Sequence, residues 1–167
     1  MISPKMQDAI NEQINAETYS AYLYWSMAAY FESENLPGFA RWMKVQAGEE
    51  MTHAGKFFDY VNERGGRVTL TAIEAPPTAW DSPLAAFQAA YEHETKVTAM
   101  INDLVDLARS ENDHATESFL TWYVDEQVEE ESSADDIVQK LTRVQDAPGG
   151  LFMLDRELGA RGAGGGE

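Results

Sequence analysis

Apolar residues recur every three to four positions through most of this chain, which is the period of a helix with one buried face. In the first such stretch Met6, Ile10, Ile14, Ala21, Tyr24, Ala28 and Phe31 fall on one stripe. The second stripe holds Phe39, Trp42, Met43, Gln46, Phe57, Tyr60 and Val61. A third holds Phe87, Ala90, Tyr91, Thr98, Ile101 and Val105, and a fourth Phe119, Trp122, Tyr123, Ile137 and Leu141. Ser3-Pro4 and Ser82-Pro83 read as an N-cap followed by proline at the first helical position. Pro37 opens a helix in the same way, and Gly65-Gly66 ends one. The pattern predicts helices over 4–33, 37–64, 83–109 and 113–141. A short fifth helix is expected over 147–158, with Leu151, Phe152, Leu154 and Leu158 as its apolar face.

The connections set the topology. Only a few residues separate the first helix from the second and the third from the fourth, so each pair is an antiparallel hairpin. Residues 65–82 differ: Val68, Leu70, Ile73 and Pro76-Pro77 read as extended chain. A segment of that length reaches roughly 60 Å, whereas each long helix is about 40 Å. It can therefore cross the whole bundle and start the third helix at the far end. The expected fold is all-α: a four-helix bundle with one long crossover between the second and third helices and a short fifth helix. A single domain over 1–160 is expected, followed by a Gly-rich, mobile tail over 161–167.

Acids interrupt every stripe. Glu17 lies in the first, Glu50 and His53 in the second, Glu94 in the third, and Glu126 and Glu130 in the fourth, with Gln127 on that stripe's edge. Acids are almost never buried unpaired, and an uncompensated buried carboxylate is very costly. No Lys or Arg shares these stripes. The four helix midpoints fall near residues 18, 50, 96 and 127. In an antiparallel bundle of equal helices those midpoints share one level, so the acids converge at the centre. A lone Glu in a stripe is ordinarily a boundary residue, and Glu50-x-x-His53 alone is weak, since residues three apart meet on any helix. Coincidence on four helices at one height is another matter. Hard oxygens plus one imidazole suit Fe, Mn or Zn better than Cu(I), and four acids invite a dinuclear site with a bridging carboxylate.

Composition narrows the chemistry. The 167 residues carry no cysteine, so thiolate metal sites and disulfides are excluded. With 12 Lys+Arg against 29 Asp+Glu the formal net charge is -17. That argues against nucleic acid or an anionic membrane as a partner and points to cations or to a high-salt habitat. The longest apolar run, Ala21 to Phe31, falls short of the ~20 residues of a membrane helix. No signal peptide is visible, and a cytoplasmic location is expected.

The stretches NEQINAETYSAYLYWSMAAYF, WMKVQAGEEMTHAGKFFDYVNERGGRV, PPTAWDSPLAAFQAAYEHE and FLTWYVDEQVEEE resemble the bacterial and archaeal non-haem ferritins over about residues 3–160. The resemblance implies a ferritin-like bundle in which Glu17, Glu50 and His53 bind one iron. Glu50, Glu94 and Glu130 bind a second, with Gln127 as an amide beside the centre. Glu49, Glu126 and Glu129, with Glu130 shared, match a third iron position. The stripes independently support Glu126, whereas Glu49 and Glu129 rest on the resemblance. Tyr24 is implied to hydrogen-bond the centre and donate an electron; its other reading is a core tyrosine with a satisfied hydroxyl. The implied activity is ferroxidase: Fe(II) is oxidised by O2 or peroxide and stored as ferric oxo-hydroxide in a homo-oligomeric shell, usually of 24 subunits in the family. Haem-binding relatives use a methionine where Met51 stands, but they have histidine in place of Glu130, so haem is not expected. The Gly149-Gly150 start of the fifth helix and its GAGGGE end depart from the family pattern. Trp122 is expected to pack in the core, and His93 and His114 to be surface histidines. The alternatives are a haem-containing bacterioferritin, another di-metal carboxylate enzyme without storage, or a bundle whose acids merely bind counterions.

Overall fold

The structure is a computed structural model and describes residues 1–162. Its five helices are α1 (Pro4–Ser33), α2 (Pro37–Glu63), α3 (Pro83–Ser110), α4 (His114–Val144) and α5 (Pro148–Gly159). Among the described residues there is no strand. α1 packs along α2 and α3 along α4, α1 also meets α3, and α5 lies on α2 and α4. This is the expected four-helix bundle with a long α2–α3 crossover. No helix is long and apolar enough to cross a membrane among the described residues.

The helix ends follow from local chemistry. Ser3, Ser82 and Asp113 each cap a helix, their side-chain oxygens accepting from Met6 N, Ala85 N and Thr116 N. Asn35, Gly65 and Asn112 adopt positive φ (57°, 72° and 55°) just past α1, α2 and α3. The next residue then donates back into the helix, Leu36 N to Phe31 O, Gly66 N to Val61 O and Asp113 N to Ala108 O, a Schellman closure at all three ends. Asparagine does here what glycine does after α2, because its short polar side chain tolerates the left-handed region. α4 runs to Val144, three residues past its expected end, because no breaker occurs before Pro148.

The crossover is extended but pairs with no strand. Its backbone is satisfied by one edge of α1. Arg67 N donates to Gln7 Oε1 at 2.8 Å, Thr69 N to Asn11 Oδ1 at 3.1 Å, Asn15 Nδ2 to Ala72 O at 3.0 Å and Ser26 Oγ to Pro77 O at 2.5 Å. Amides at four-residue spacing substitute for a neighbouring strand.

Apolar side chains form two clusters. One gathers Phe31, Phe39, Met43, Phe87 and Leu141 with Leu154 and Leu158 of α5. The other gathers Met6, Ile10, Phe57, Ile101, Leu120 and Tyr123. α5 is fastened by buried Asp155, whose Oδ1 accepts from Gly38 N (2.9 Å) and Phe39 N (3.0 Å) at the start of α2. A Cβ on Gly38 would lie 1.7 Å from the Asp155 carbonyl oxygen, so only glycine permits this approach.

Three expectations are corrected. Phe152 is 64% exposed, because the buried face of α5 is Leu154, Asp155 and Leu158. Trp122 stands at the bundle edge, 37% exposed, with the Lys56 ammonium 2.9 Å from its ring centroid. His93 is half-buried: its Nε2 lies 2.7 Å from Ser20 Oγ, and its ring packs between Tyr19 and Tyr24. Burial pushes its pKa below the usual histidine value. His114 is exposed as expected. Arg161, at the start of the stretch read as a mobile tail, lies against α2; residues 163–167 of that stretch lie outside the described residues.

Candidate metal centre

Between the two apolar clusters lies a polar layer, with contributions from all four long helices. Glu17, Glu50, His53, Glu94, Gln127 and Glu130 are all buried, none more than 6% exposed. Each sits where the apolar period of its helix points inward, so the folding that buries the stripes necessarily buries these groups. Gln127, read as an edge residue, is as hidden as the acids.

His53 is the hub on one side. Its Nδ1 lies 3.4 Å from Glu50 Oε2 and 3.9 Å from Glu17 Oε2, and its Nε2 lies 3.9 Å from Glu126 Oε1. The ring is held from outside: Tyr123 Oη donates to the His53 carbonyl at 2.7 Å, and Trp122 meets the imidazole edge-on at 5.3 Å. On the other side, Glu94 accepts from Tyr24 Oη and, at 3.3 Å, from Gln127 Nε2.

Three triads of ligand atoms lie within 4.8 Å of one another: Glu17/Glu50/His53, Glu50/Glu94/Glu130 and His53/Glu126/Glu130. Each pair of triads shares one residue. Glu50 joins the first to the second, Glu130 the second to the third, and His53 the first to the third.

The electrostatics are those of a site that wants cations. Burial, then repulsion from Glu50, raises the Glu17 carboxyl well above its ordinary value. Burial and neighbouring acids push Glu94 and Glu130 up to about 8. Tyr24 is raised as well, by burial and then by Glu94. For His53 burial opposes the charged form, but the bond to Glu50 and the charges of Glu50, Glu130 and Glu126 outweigh it, and its pKa rises. Among the described residues, no Lys or Arg ion-pairs with the four fully buried acids, and Glu17 Oε2 is buried without a hydrogen-bond partner.

The remaining expected residues fall outside this layer's centre. Glu126 is partly exposed but reaches His53. Glu129 is exposed. Glu49 turns away to accept from Arg161 Nη2 at 2.5 Å, and that guanidinium stacks 4.3 Å above the Trp42 ring. Met51 is 50% exposed, in a groove with Thr18, Ala21, Tyr22, Trp25 and Ile73.

Two buried residues escaped the sequence reading as site residues. Gln13 Nε2 donates to Glu17 Oε1 at 2.8 Å, and Gln46 Nε2 donates to Glu50 Oε1 at 2.8 Å and to Glu130 Oε2 at 2.7 Å. Their signal was present as a glutamine one helical turn before Glu17 and before Glu50, in QINAE and QAGEE.

Known proteins resemble this chain in sequence and fold. A model of the ferritin-like domain family matches residues 7–144. A bacterial non-heme ferritin of Bacteroides fragilis is 50% identical over 161 residues, 96% of this chain and 100% of that protein. One from Staphylococcus aureus is 40% identical over 96% of this chain and 97% of its own. The crystal structure of an open pore ferritin from the hyperthermophilic archaeon Archaeoglobus fulgidus superposes with a TM-score of 0.96 at 59% identity, covering 96% of this chain and 99% of that one. An inward-turned layer of carboxylates around one histidine, in this bundle and with these relatives, means that the chain belongs to the ferritin family of iron-storage proteins.

Proposed function

We propose that the polar layer is a ferroxidase centre that binds two Fe(II) ions per chain as substrate and delivers Fe(III) to a mineral store. Glu17, Glu50 and His53 hold one ion, Glu50, Glu94 and Glu130 the other, and Glu50 bridges them. The single observation that carries this reading is four buried carboxylates at one level, with one imidazole and, among the described residues, no Lys or Arg as an ion-pair partner. Four negative charges balance two divalent cations, which removes the desolvation cost that otherwise protonates the acids.

In the reaction each Fe(II) gives up one electron to O2, which takes up two protons and leaves as H2O2; peroxide serves as the oxidant in the same position. The protein's part is to hold the two metals side by side with open positions and to keep the ligands oriented. Tyr24, donating to Glu94, is placed to steady that carboxylate. Gln127 supports the same carboxylate from the opposite side. Glu126 and Glu130, with the Nε2 side of His53, form a third stopping point through which the oxidised ion leaves. Glu129 extends that route, and Glu49 joins it when released from Arg161. The ferric product then hydrolyses to oxo-hydroxide inside a closed homo-oligomer of 24 subunits in the cytoplasm.

Anaerobic Fe(II) titration followed by air tests this reading, with absorbance and native mass recorded together. Two Fe(II) per chain, rapid ferric absorbance on aeration, and a shell-sized particle that gains iron mass are expected. Saturation at fewer than two ions would overturn the dinuclear assignment. A small oligomer that oxidises iron without retaining it would leave a di-metal enzyme instead of a store.

A further inference from the structure

Each of the four buried acids accepts a neutral donor on one carboxylate oxygen or more. The donors are Gln13 for Glu17, Gln46 for both Glu50 and Glu130, and Tyr24 with Gln127 for Glu94. The choice of oxygen is informative. Gln13 and Gln46 each take the Oε1 of the glutamate one turn further along their own helix. The other oxygen of each pair, Oε2, is the one that faces His53 Nδ1, at 3.9 Å from Glu17 and 3.4 Å from Glu50. Among the described residues Glu17 Oε2 is buried with no hydrogen-bond partner.

Given the metal centre proposed above, on which this inference rests, we infer that Gln13 and Gln46 are positioning residues that divide the work between its two metal sites. An amide donor on one oxygen fixes the carboxylate's rotation and leaves the opposite oxygen free as a single-atom ligand. It does so without the cost of burying a cation. A Lys or Arg in the same place would neutralise the acid and compete with the metal. A glutamine does neither.

The two glutamines serve different positions. Glu17 belongs only to the triad with Glu50 and His53, so Gln13 acts on that position alone. Gln46 grips Glu50, which both positions share, and Glu130, which belongs to the second position and not to the first. Its clasp spans α2 to α4 and sets the distance between two ligands of the second ion. Among the described residues Gln46 Oε1 is itself buried with no hydrogen-bond partner, so the clasp is held by its two donor bonds.

The test is a pair of double-mutant cycles on the assembled protein, with anaerobic Co(II) as the probe and binding read by calorimetry. Gln13→Met and Gln46→Met keep side-chain length and remove the donor. Loss of a hydrogen-bonding support behind a metal ligand weakens binding by about 10–100-fold. Gln13→Met is therefore expected to weaken one of the two Co(II) sites about tenfold or more and the other by less than about twofold. Gln46→Met should weaken both, the second more. In a Glu17→Ala background the Gln13→Met effect should vanish, and in a Glu130→Ala background the Gln46→Met effect should shrink, because each glutamine acts through its carboxylate. A merely structural role would leave the effects additive, which overturns the inference, as does wild-type binding in both single variants. If Gln46→Met does not fold, Gln46→Ala, which adds no atoms, gives the same readout. Failure of the underlying metal-centre reading is distinguishable, since unmutated protein would then bind fewer than two Co(II).

Discussion

Phe87 and Glu94 lie two turns apart on α3 and are both hidden from water, yet they do opposite things to the fold. Phe87 packs against Phe31, Phe39 and Trp42 with ring centroids 5.3–5.7 Å apart. Burial of such a ring contributes on the order of 1.5–3 kcal/mol. Burial of Glu94 costs stability, and the carboxyl responds by holding its proton up to about pH 8. The apolar ends of the bundle therefore stabilise it, and the middle draws on that stability to hold ligands where water would otherwise take them. Strain of this kind belongs at a functional site, since the neighbouring structure must over-determine it.

The largest effect that breaks the comparison is at the apolar end. Phe87→Ala is expected to cost about 3–5 kcal/mol of stability, seen as a fall in Tm. Fe(II) oxidation per folded chain should stay at the wild-type rate below the transition. Lost oxidation with an unchanged Tm would show that the two regions are not separable.

Glu94→Gln is the reciprocal change. The amide keeps the shape and removes the charge and, with it, a proposed metal ligand. Metal ions held by acids stabilise developing charge by several kcal/mol, so Fe(II) oxidation should fall by about a hundredfold or more. The metal-free variant should melt above the wild type at pH 8, because a buried charge has gone. A lower melting temperature at that pH would place Glu94 among the groups that stabilise the fold.

The pH dependence of the metal-free protein sharpens the same point. Glu94 and Glu130 titrate near 8 in the folded chain, against an ordinary value of 4.5. Between those values the native state binds more protons than the unfolded state, so stability falls as pH rises from about 5 to 8. His53, also raised, contributes in the same direction: its stabilisation is present below its ordinary value of 6.5 and is lost as pH rises through the folded value. Thermal melts across this range should show the decline, and saturating Co(II) should reverse it. A flat profile would mean that the layer is wetter than its burial indicates.

These contrasts also explain what could be read from the chain. The helices and the acids were legible because both follow one rule: a 3.6-residue period says which positions turn inward, and an acid among them is conspicuous. The ends of α1 and α3, expected at 33 and 109, fall at Ser33 and Ser110; what the pattern does not show is how they close, since Asn35 and Asn112 adopt a left-handed conformation without advertising it. The positions of Phe152 and Trp122 turned on a boundary angle within the stripe, which periodicity resolves poorly. Arg161 meets Glu49 from more than a hundred residues away, and no local pattern encodes that encounter. Gln13 and Gln46 were hidden for a different reason. A buried glutamine looks like an ordinary polar residue until its partner is known, and the partner's unused oxygen appears only in three dimensions.

The smallest predicted effect lies at a helix start remote from the layer, and it separates capping from charge. Asp113 caps α4 by accepting from Thr116 N at 3.1 Å and also pairs with Arg64 at 3.1 Å. Burial works against its charged form, but the bonds from Thr116 and Arg64 prevail and hold its pKa below the ordinary aspartate value. Its stabilisation is thus complete above about pH 4 and is lost as pH falls through the folded value, a window that does not overlap the one set by Glu94 and Glu130. Asparagine caps a helix nearly as well as aspartate, whereas alanine does not, so Asp113→Ala should cost about 1 kcal/mol and Asp113→Asn less. Urea melts at pH 7 measure both. Equal losses in the two variants would mean that the ion pair, not the cap, holds this end of the bundle. In either case Fe(II) oxidation stays untouched, because the residue stabilises the frame and contacts nothing in the layer.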